Sequence, residues 1–186
     1  MLLRRRLTMA VLVTFLLLLA AAPTLAESTS VDWNQMVRDL ERKRDLTIRE
    51  QVYLVMAYGN TGGITRLLGL VGDLDKQDWI PTAHEMMEES EEALEEDPGN
   101  LIHLNTIAFA SFALNDYETS GELFEQIVEL DPENHWPRLY LGWSWGSTGR
   151  VDDGIEQIEI VAKEEPWNFS VRMLLIWAKA QRALLR

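Results

Sequence analysis

The amino-acid sequence predicts an all-α fold, built as an array of antiparallel helix hairpins. Three observations lead to it. The prolines Pro98, Pro132 and Pro166 are 34 residues apart, and their neighbours repeat with them. Between these prolines the apolar residues recur three and four positions apart, which is the spacing of helices and not of strands. The composition, 47% hydrophobic and 25% charged over 186 residues, is that of one ordinary globular domain.

The first 26 residues have the pattern of a secretory signal. They combine a charged start, an apolar run and a small-x-small site, at Arg4–Arg6, Ala10–Ala22 and Thr24–Ala26. We expect cleavage after Ala26 and a mature protein in the periplasm, the cell envelope or the extracellular space. The apolar run is shorter than the ~20 residues that a membrane-spanning helix needs, so an uncleaved membrane anchor is the less favoured alternative.

The region from 27 to 80 is predicted to contain helices that are degenerate repeats or no repeats at all. Its apolar spacing indicates three helices, at Val31–Arg44, Leu46–Tyr58 and Ile64–Leu74. The segment Tyr58–Gly62 parallels Trp145–Gly149, which indicates a hairpin made of the second and third of these helices. A repeat-like region, 81–186, then begins with a helix at Thr82–Asp97. In an alternative register this helix pairs with Ile64–Leu74, which contains Gly69 and Gly72 and fits the repeat badly. The number of repeats before residue 98 stays open.

A four-residue motif, which we call a mark, occurs three times and separates the remaining helices. Each mark is an acid, a proline, any residue and an asparagine, at Asp97–Asn100, Asp131–Asn134 and Glu165–Asn168. Proline cannot continue a helix but is tolerated in the first turn of the next one, so each mark separates two helices. The predicted helices are Leu101–Leu114, Tyr117–Leu130, His135–Thr148, Val151–Glu164 and Phe169–Leu185. They form two clear units, 101–134 and 135–168, and a terminal helix, 169–186.

These units resemble the tetratricopeptide repeat (TPR) family, whose pattern is W-x2-L-G-x2-Y, then A-x3-F, then P. The first unit has Leu104, Ile107, Ala108, Ser111, Ser120, Phe124 and Pro132 at those positions. The second unit has Arg138, Leu141, Gly142, Trp145, Gly154, Ile158 and Pro166. The resemblance implies a short right-handed superhelix, an α-solenoid with a concave face, and a non-catalytic role in binding protein partners on that face.

An aromatic residue recurs at one position of the first helix of each unit. Phe109, Trp143 and Trp177 are 34 residues apart. The resemblance implies that this position faces the concave groove, whereas Ile107 and Leu141 face the interior. Residues three and four positions away share the same side of a helix. The predicted partner-binding groove is lined by Ile102, Asn105, Phe109, Phe112, Trp136, Leu139, Trp143, Met173 and Trp177.

The sequence leaves open what covers this apolar groove. Three aromatic side chains of ~200 Å² each would expose ~600 Å², about the largest apolar patch of a soluble monomer. The groove would be covered by a protein partner, a second copy of the chain, a small hydrophobic ligand or the protein itself. In the last case the cover is the helices between Val31 and Leu74 or the last helix folded inward.

The charge balance narrows the choice of partner. The chain has 30 acidic and 17 basic residues. The part after residue 26 contains all 30 acidic residues and 14 of the 17 basic ones. A protein this acidic repels phosphate backbones and anionic lipid, so the sequence predicts no binding to nucleic acid and no basic membrane-surface role. We expect instead a protein or peptide that is apolar in the middle and basic at its flanks.

Candidates for catalysis are few, and the sequence predicts no catalytic site, no cofactor and no metal. It has no cysteine, no glycine-rich phosphate loop and no nucleophile elbow. His84, Glu85 and Glu88 resemble part of a zinc-helix motif but lack its second histidine. Asp73, Asp75 and Asp78 resemble the start of a calcium loop without its glycine and closing glutamate.

The run from Glu85 to Asp97 has eight acids and no base. Such a run is typical of a solvated helix face, and the alternative is a docking face for a basic partner. The basic cluster Arg38–Arg44 is a candidate to pair with it, within one molecule or between two.

Together these features predict an exported TPR-like adaptor or scaffold that binds a protein partner through its groove. One alternative is a structural subunit that self-associates through the groove. The less favoured alternative is a metal-dependent enzyme that uses His84, Glu85 and Glu88.

Overall fold

The computed structural model describes residues 30–73 and 76–184, and every regular element in these ranges is an α-helix. The helices are α1 (Trp33–Glu41), α2 (Ile48–Gly59), α3 (Ile64–Asp73), α4 (Lys76–Glu96), α5 (Leu101–Ala113), α6 (Tyr117–Leu130), α7 (Pro137–Ser147), α8 (Val151–Glu164) and α9 (Phe169–Leu184). The predicted signal sequence, Met1–Ala26, lies outside the described residues. Within them, none of the helices is long and apolar enough to cross a bilayer.

Helices that are adjacent in the chain pack against each other from α4 to α9. Short connections make α5–α6 and α7–α8 antiparallel hairpins, and α9 packs on the second of them. Small residues let these helices approach closely: Gly142 and Gly154 face each other with no room for a Cβ, and the hydroxyls of Ser120 and Ser144 are 3.0 Å apart. The structure confirms the predicted all-α array of helix hairpins, and the array has a TPR-like form.

Each acid-proline-x-asparagine mark folds into the same turn. The asparagine N–H donates to the carbonyl of the acid at 3.1 Å in all three marks. Proline occupies the second position of the turn, where its fixed φ fits. The side chains of Asn100, Asn134 and Asn168 then accept from backbone N–H groups at the start of the next segment. Each motif thus ends one helix, and Asn100 and Asn168 also cap the next one, whereas α7 begins at Pro137 without a side-chain cap.

In four helices the structure moves a predicted bound by two residues or more. α2 begins at Ile48 and not at Leu46. α7 begins at Pro137 and not at His135, because proline is favoured as the first residue of a helix, where no N–H is needed. α4 begins at Lys76 and continues through Pro81, the position at which the sequence places the start of the repeat-like region. α1 is shorter at both ends than the predicted Val31–Arg44.

α2 joins the N-terminal helices to the repeats. It packs on α1, α3, α4 and α5, and six of its twelve residues are buried. A capping box begins it: the Thr47 side chain accepts from the N–H of Glu50, and the Glu50 carboxylate accepts from the N–H of Thr47 at 2.9 Å. After its end Gly62 has φ 74°, as Gly149 has φ 96° after α7. The parallel between these two segments therefore extends to the backbone.

Candidate functional site

An apolar groove of about 610 Å³ runs between α3 on one side and α7 and α9 on the other. It is lined by Ile64, Leu67, Leu68, Phe112, Leu139, Tyr140, Trp143, Phe169, Ser170, Met173, Leu174 and Trp177. None of these side chains is charged. A cleft of this size and lining suits an apolar ligand or the apolar side of a polypeptide segment.

Two tryptophans from consecutive repeats stack on each other in the groove. The rings of Trp143 and Trp177 are 5.2 Å apart between centroids and 18° from parallel. Phe112 meets Trp143 edge to face at 6.0 Å. Half of the Trp177 surface (50%) and almost half of the Met173 surface (46%) remain exposed. A large aromatic surface is therefore accessible from solvent at this end of the concave face.

The groove stops where α2 covers the first repeat. Phe109, which has the same repeat position as Trp143 and Trp177, is 5% exposed. Its ring packs edge to face on Phe124 at 5.0 Å and on Tyr140 at 4.7 Å. Gly59 at the end of α2 lies so close to this ring that a Cβ would overlap it. The N-terminal part of the concave face is thus filled by the protein itself.

Three asparagines fasten the end of α2 to the repeats. The Asn60 amide donates to Oδ1 of Asn105 at 2.8 Å, and the Asn134 amide donates to Oδ1 of Asn60 at 3.0 Å. Asn105 is completely buried and also donates to the carbonyl of Leu101 at 2.7 Å. A buried amide without such partners would cost ~1–3 kcal/mol, so this network fixes the position of α2.

The nine residues predicted for the groove fall into two sets. Five of them line the open groove: Phe112, Leu139, Trp143, Met173 and Trp177. The other four are absent from its lining: Ile102, Asn105, Phe109 and Trp136. Asn105 and Phe109 contact the end of α2, and Trp136 packs on Gly62 just beyond it. Ile102 is half-buried.

The wall formed by α3 was not predicted from the sequence, and neither were the lining residues Tyr140, Phe169, Ser170 and Leu174. Ile64, Leu67 and Leu68 have the spacing of an apolar helix side, and this was the available signal. Leu67 is buried, whereas Leu68 is 64% exposed in the groove. Gly69 and Gly72 made the segment a poor repeat helix, and a Cβ at either position would meet nothing within 4 Å. The two glycines therefore play no part in packing.

A buried tyrosine lies beneath the open groove. The ring of Tyr140 stacks on Phe124 with centroids 5.4 Å apart, and its hydroxyl has no hydrogen-bond partner among the described residues. Burial raises the pKa of Tyr140 far above that of a free tyrosine. The side chain therefore adds no charge to the groove at neutral pH.

Charge is divided between the two helices of each hairpin. The sequences of α4, α6 and α8 have eight, four and five acidic residues, and those of α5, α7 and α9 have none. No residue of α4, α6 or α8 lines the groove. The protein therefore combines an uncharged groove with acidic helices outside it.

The acidic run on α4 is partly neutralised within the molecule. Arg49 of α2 lies 2.5 Å from a carboxylate oxygen of Glu89 and 3.4 Å from one of Glu85. The hydrogen bond from Arg49 lowers the pKa of Glu89. The predicted basic cluster pairs elsewhere: Lys43, for example, contacts Glu50 at 2.5 Å.

The candidate metal ligands do not come together. His84, Glu85 and Glu88 are exposed on α4. Among residues 30–73 and 76–184, no three histidine or acidic side chains are arranged to hold a metal ion. Asp75, from the segment that resembles a calcium loop, lies outside the described residues.

The fold and the groove define a helical-repeat protein of TPR-like form with an apolar concave site. No family model matches the chain, and no curated protein matches its sequence. Solved structures to which it is similar include MamA AMB-1 (21% identity, covering 81% of this chain and 74% of that chain, TM-score 0.47) and MamA MSR-1 (19%, 81%, 78% and 0.47). Similarity this distant identifies neither a family nor a partner. The function is therefore inferred from the groove's own residues.

Proposed function

We propose that this protein is an exported adaptor or scaffold that binds a partner protein in the apolar groove. The bound part of the partner is an apolar segment with basic residues at its flanks. One observation carries the proposal. Trp177 and Met173 stay accessible at the C-terminal end of the concave face, although the same face is closed over Phe109 at the other end.

Burial of the exposed groove surface supplies the driving force for binding. Leu68, Phe169, Met173 and Trp177 are 64%, 75%, 46% and 50% exposed. Together they present roughly 500 Å² of apolar surface, and its burial contributes about 12 kcal/mol at ~25 cal/mol per Å². Association itself costs ~4–15 kcal/mol, so the surplus suits a reversible complex.

The acidic helices favour a partner with basic flanks. The acids of α4, α6 and α8 surround an uncharged groove and attract cations from a distance. Such attraction acts chiefly on the association rate and is screened by salt. We expect association to slow as the salt concentration rises, and the apolar contact in the groove to hold the complex once it has formed.

The N-terminal sequence pattern supports export. A charged segment, an apolar run and a small-x-small site follow one another before residue 27, as in a secretory signal. The chain has no cysteine, which is compatible with an oxidising compartment. The intact mass of the protein from its native host tests this part, with Glu27 as the expected first residue. Membrane-bound protein that retains residues 1–26 would contradict it.

Site-specific photo-crosslinking tests the binding site. A photoreactive phenylalanine analogue in place of Leu68, on the α3 wall, is expected to give a discrete adduct in the native host. The same analogue in place of Glu122, exposed on α6, is the matched control and is expected to give none. The crosslinked peptide, identified by mass spectrometry, should be apolar with Lys or Arg beside it. An adduct at position 122 and none at position 68 would overturn the proposal.

The same experiment distinguishes binding of a partner from the alternative, in which the protein is a structural subunit that self-associates through the groove. An adduct between two copies of this chain at position 68 would assign the groove to self-association and not to a partner. The intact mass of the adduct distinguishes the two outcomes.

A further inference from the structure

A second apolar surface lies along α9 and shares Phe169 and Met173 with the groove. Five exposed residues follow one another at steps of four, three, four and three: Phe169, Met173, Ile176, Ala180 and Ala183. Phe169 is 75% and Ile176 is 59% exposed. These steps are the spacing of a coiled-coil seam, in which one helix packs along another. We call these five residues the α9 seam.

The α9 seam lies on the side of the helix opposite its buried side. Val171 is completely buried and Ala178 is half-buried, and at 3.6 residues per turn both are about half a turn away from the seam. α9 is therefore apolar on two opposite sides. It packs on the protein with one of them and presents the other to solvent, although a helix that is apolar all round is normally buried all round.

The matching positions in the two complete units are covered by a helix. Ile176 corresponds to Gly142 and Ala108, 34 and 68 residues earlier, and both of those are buried. Gly142 packs directly on the backbone of Gly154. The larger side chain of Ile176 does not allow the backbone of another helix to come so near to α9. A helix that covers Ile176 must therefore pack side chain to side chain, with the axes ~8–10 Å apart.

We propose that the α9 seam pairs two copies of this chain, with the two α9 helices antiparallel. Antiparallel pairing sets Phe169 and Met173 of each copy against the alanines at 180 and 183 of the other, so that large side chains meet small ones. Parallel pairing would set Phe169 against Phe169 and alanine against alanine, which crowds one end and leaves a void at the other.

The area of the seam matches what a dimer needs. With the exposed Leu184 beside it, the seam presents roughly 500 Å² of apolar surface, so two copies bury roughly 1,000 Å² in total, the lower limit for a specific interface. A patch of this size is also at the upper end of what a soluble monomer exposes.

Charge agrees with this arrangement. α9 has no acidic residue, and two of its three basic residues, Lys179 and Arg182, are paired with Glu159 and Asp152, so two copies meet there with less like-charge repulsion than at α4, α6 or α8. Arg172, next to the seam, is exposed and makes no ion pair with any residue in the described ranges. Antiparallel pairing brings it towards the C-terminal end of the second α9, where Asp152 lies 3.1 Å from Arg182. Each Arg172 thereby gains a nearby carboxylate.

Phe169 and Met173 belong both to the groove lining and to the α9 seam, so pairing covers them and leaves Trp143, Trp177 and the α3 wall accessible. The dimer therefore carries two grooves, which would bind two segments of one partner with a gain from effective concentration. The dimer itself rests on α9 and not on the proposed function of the groove.

The solution mass tests the pairing. In sedimentation equilibrium, protein purified after expression of the whole chain is expected to have the mass of two copies at ~10–100 µM, a range in which weak specific dimers form. Ile176→Asp should return it to the mass of one chain with an unchanged circular dichroism spectrum. Leu68→Asp, an equally polar change at an exposed leucine of the groove, is the matched control and should leave the dimer intact.

Disulfide trapping tests the orientation, because the chain has no cysteine of its own. A mixture of Phe169→Cys and Ala183→Cys proteins should form the mixed disulfide much faster than either protein crosslinks to itself. Faster self-crosslinking by each variant would show a parallel pair and overturn the proposed arrangement.

Four further results would overturn the pairing itself. One is the mass of a single chain at every concentration, and another is a dimer that survives Ile176→Asp. The third is a dimer lost with Leu68→Asp alone, which would place self-association in the groove. The fourth is a monomer that binds vesicles of anionic lipid through Ile176, which would make a membrane the occupant of the seam. Loss of the dimer leaves the crosslinking test of the groove unaffected, so the two proposals fail separately.

Discussion

Phe109 and Trp177 occupy the same position of the repeat and have opposite surroundings. Phe109 is 5% exposed among Phe124, Tyr140 and Gly59, whereas Trp177 is 50% exposed and stacks on one side only, against Trp143. The 34-residue period sets the direction of both side chains. What covers them is decided by α2, which is not part of the period. One concave face is thereby divided into a part that supports the fold and a part that is available for binding.

The largest effect that this comparison predicts is on stability at the closed end. Phe109→Ala should lower the free energy of unfolding by ~3–5 kcal/mol, because it removes a ring at the centre of a buried aromatic cluster. Urea unfolding measures the loss. Trp167→Ala, at an aromatic side chain that is 90% exposed, is the control and should change stability by no more than ~0.5 kcal/mol. Similar losses in both variants would remove the distinction between the two ends.

A smaller loss is expected when the attachment of α2 is weakened. Asn105→Ala removes the acceptor for the Asn60 amide and should cost ~1–3 kcal/mol. Hydrogen exchange should then show that α2 opens before α5 to α8, because the substitution weakens the hydrogen bonds that hold α2 against the repeats. Asn34→Ala, at an exposed asparagine of α1, serves as the control. Uniform opening of all helices would show that the asparagines do not hold α2 against the repeats.

At the open end the expected change in stability is smaller still. Trp177→Ala removes one stacked aromatic pair and should lower the free energy of unfolding by ~0.5–1.5 kcal/mol. Trp167→Ala, at a tryptophan that is 90% exposed, gives the baseline in the same urea experiment. A loss for Trp177→Ala as large as that for Phe109→Ala would mean that the open end is also part of the core.

The smallest expected effect is a pH dependence at the start of α2. The hydrogen bond from Lys43, and then the backbone N–H of Thr47, lower the pKa of Glu50 from its ordinary 4.5 to about 2. A lowered carboxyl pKa adds stability above the unfolded-state value, and this is lost as the pH falls through the folded-state value. The advantage of the wild type over Glu50→Gln in urea unfolding should therefore shrink between pH 4.5 and 2. A constant difference would contradict the assignment.

The helices from α5 to α9 could be predicted closely from the sequence because their ends are local. Each acid-proline-x-asparagine mark contains the turn between two helices, and two of the three also contain the cap of the next helix, so no distant residue is needed to place it. The one shift, at the start of α7, also has a local cause in Pro137. The repeat period placed the side of each helix in the same way, and so the concave face could be found.

The division of that face could not be predicted, because it depends on contacts between distant parts of the chain. Asn60 bonds to Asn105 and to Asn134, 45 and 74 residues away, and no local pattern indicates either pairing. Gly59 looked like part of a turn, yet its small size is what admits the Phe109 ring. The α3 wall could not be predicted for a similar reason, since the apolar spacing indicated this helix but not the distant helices that it faces across the groove.

The affinity of the Trp177→Ala protein for the partner segment found by crosslinking tests the central claim most directly. The account predicts at least ~tenfold weaker binding than the wild type, with stability lowered by no more than ~1.5 kcal/mol, because Trp177 is an accessible aromatic anchor in the groove. Trp167→Ala, measured beside it, should bind as the wild type does. Unchanged affinity of Trp177→Ala would contradict the account and place the binding surface outside the groove.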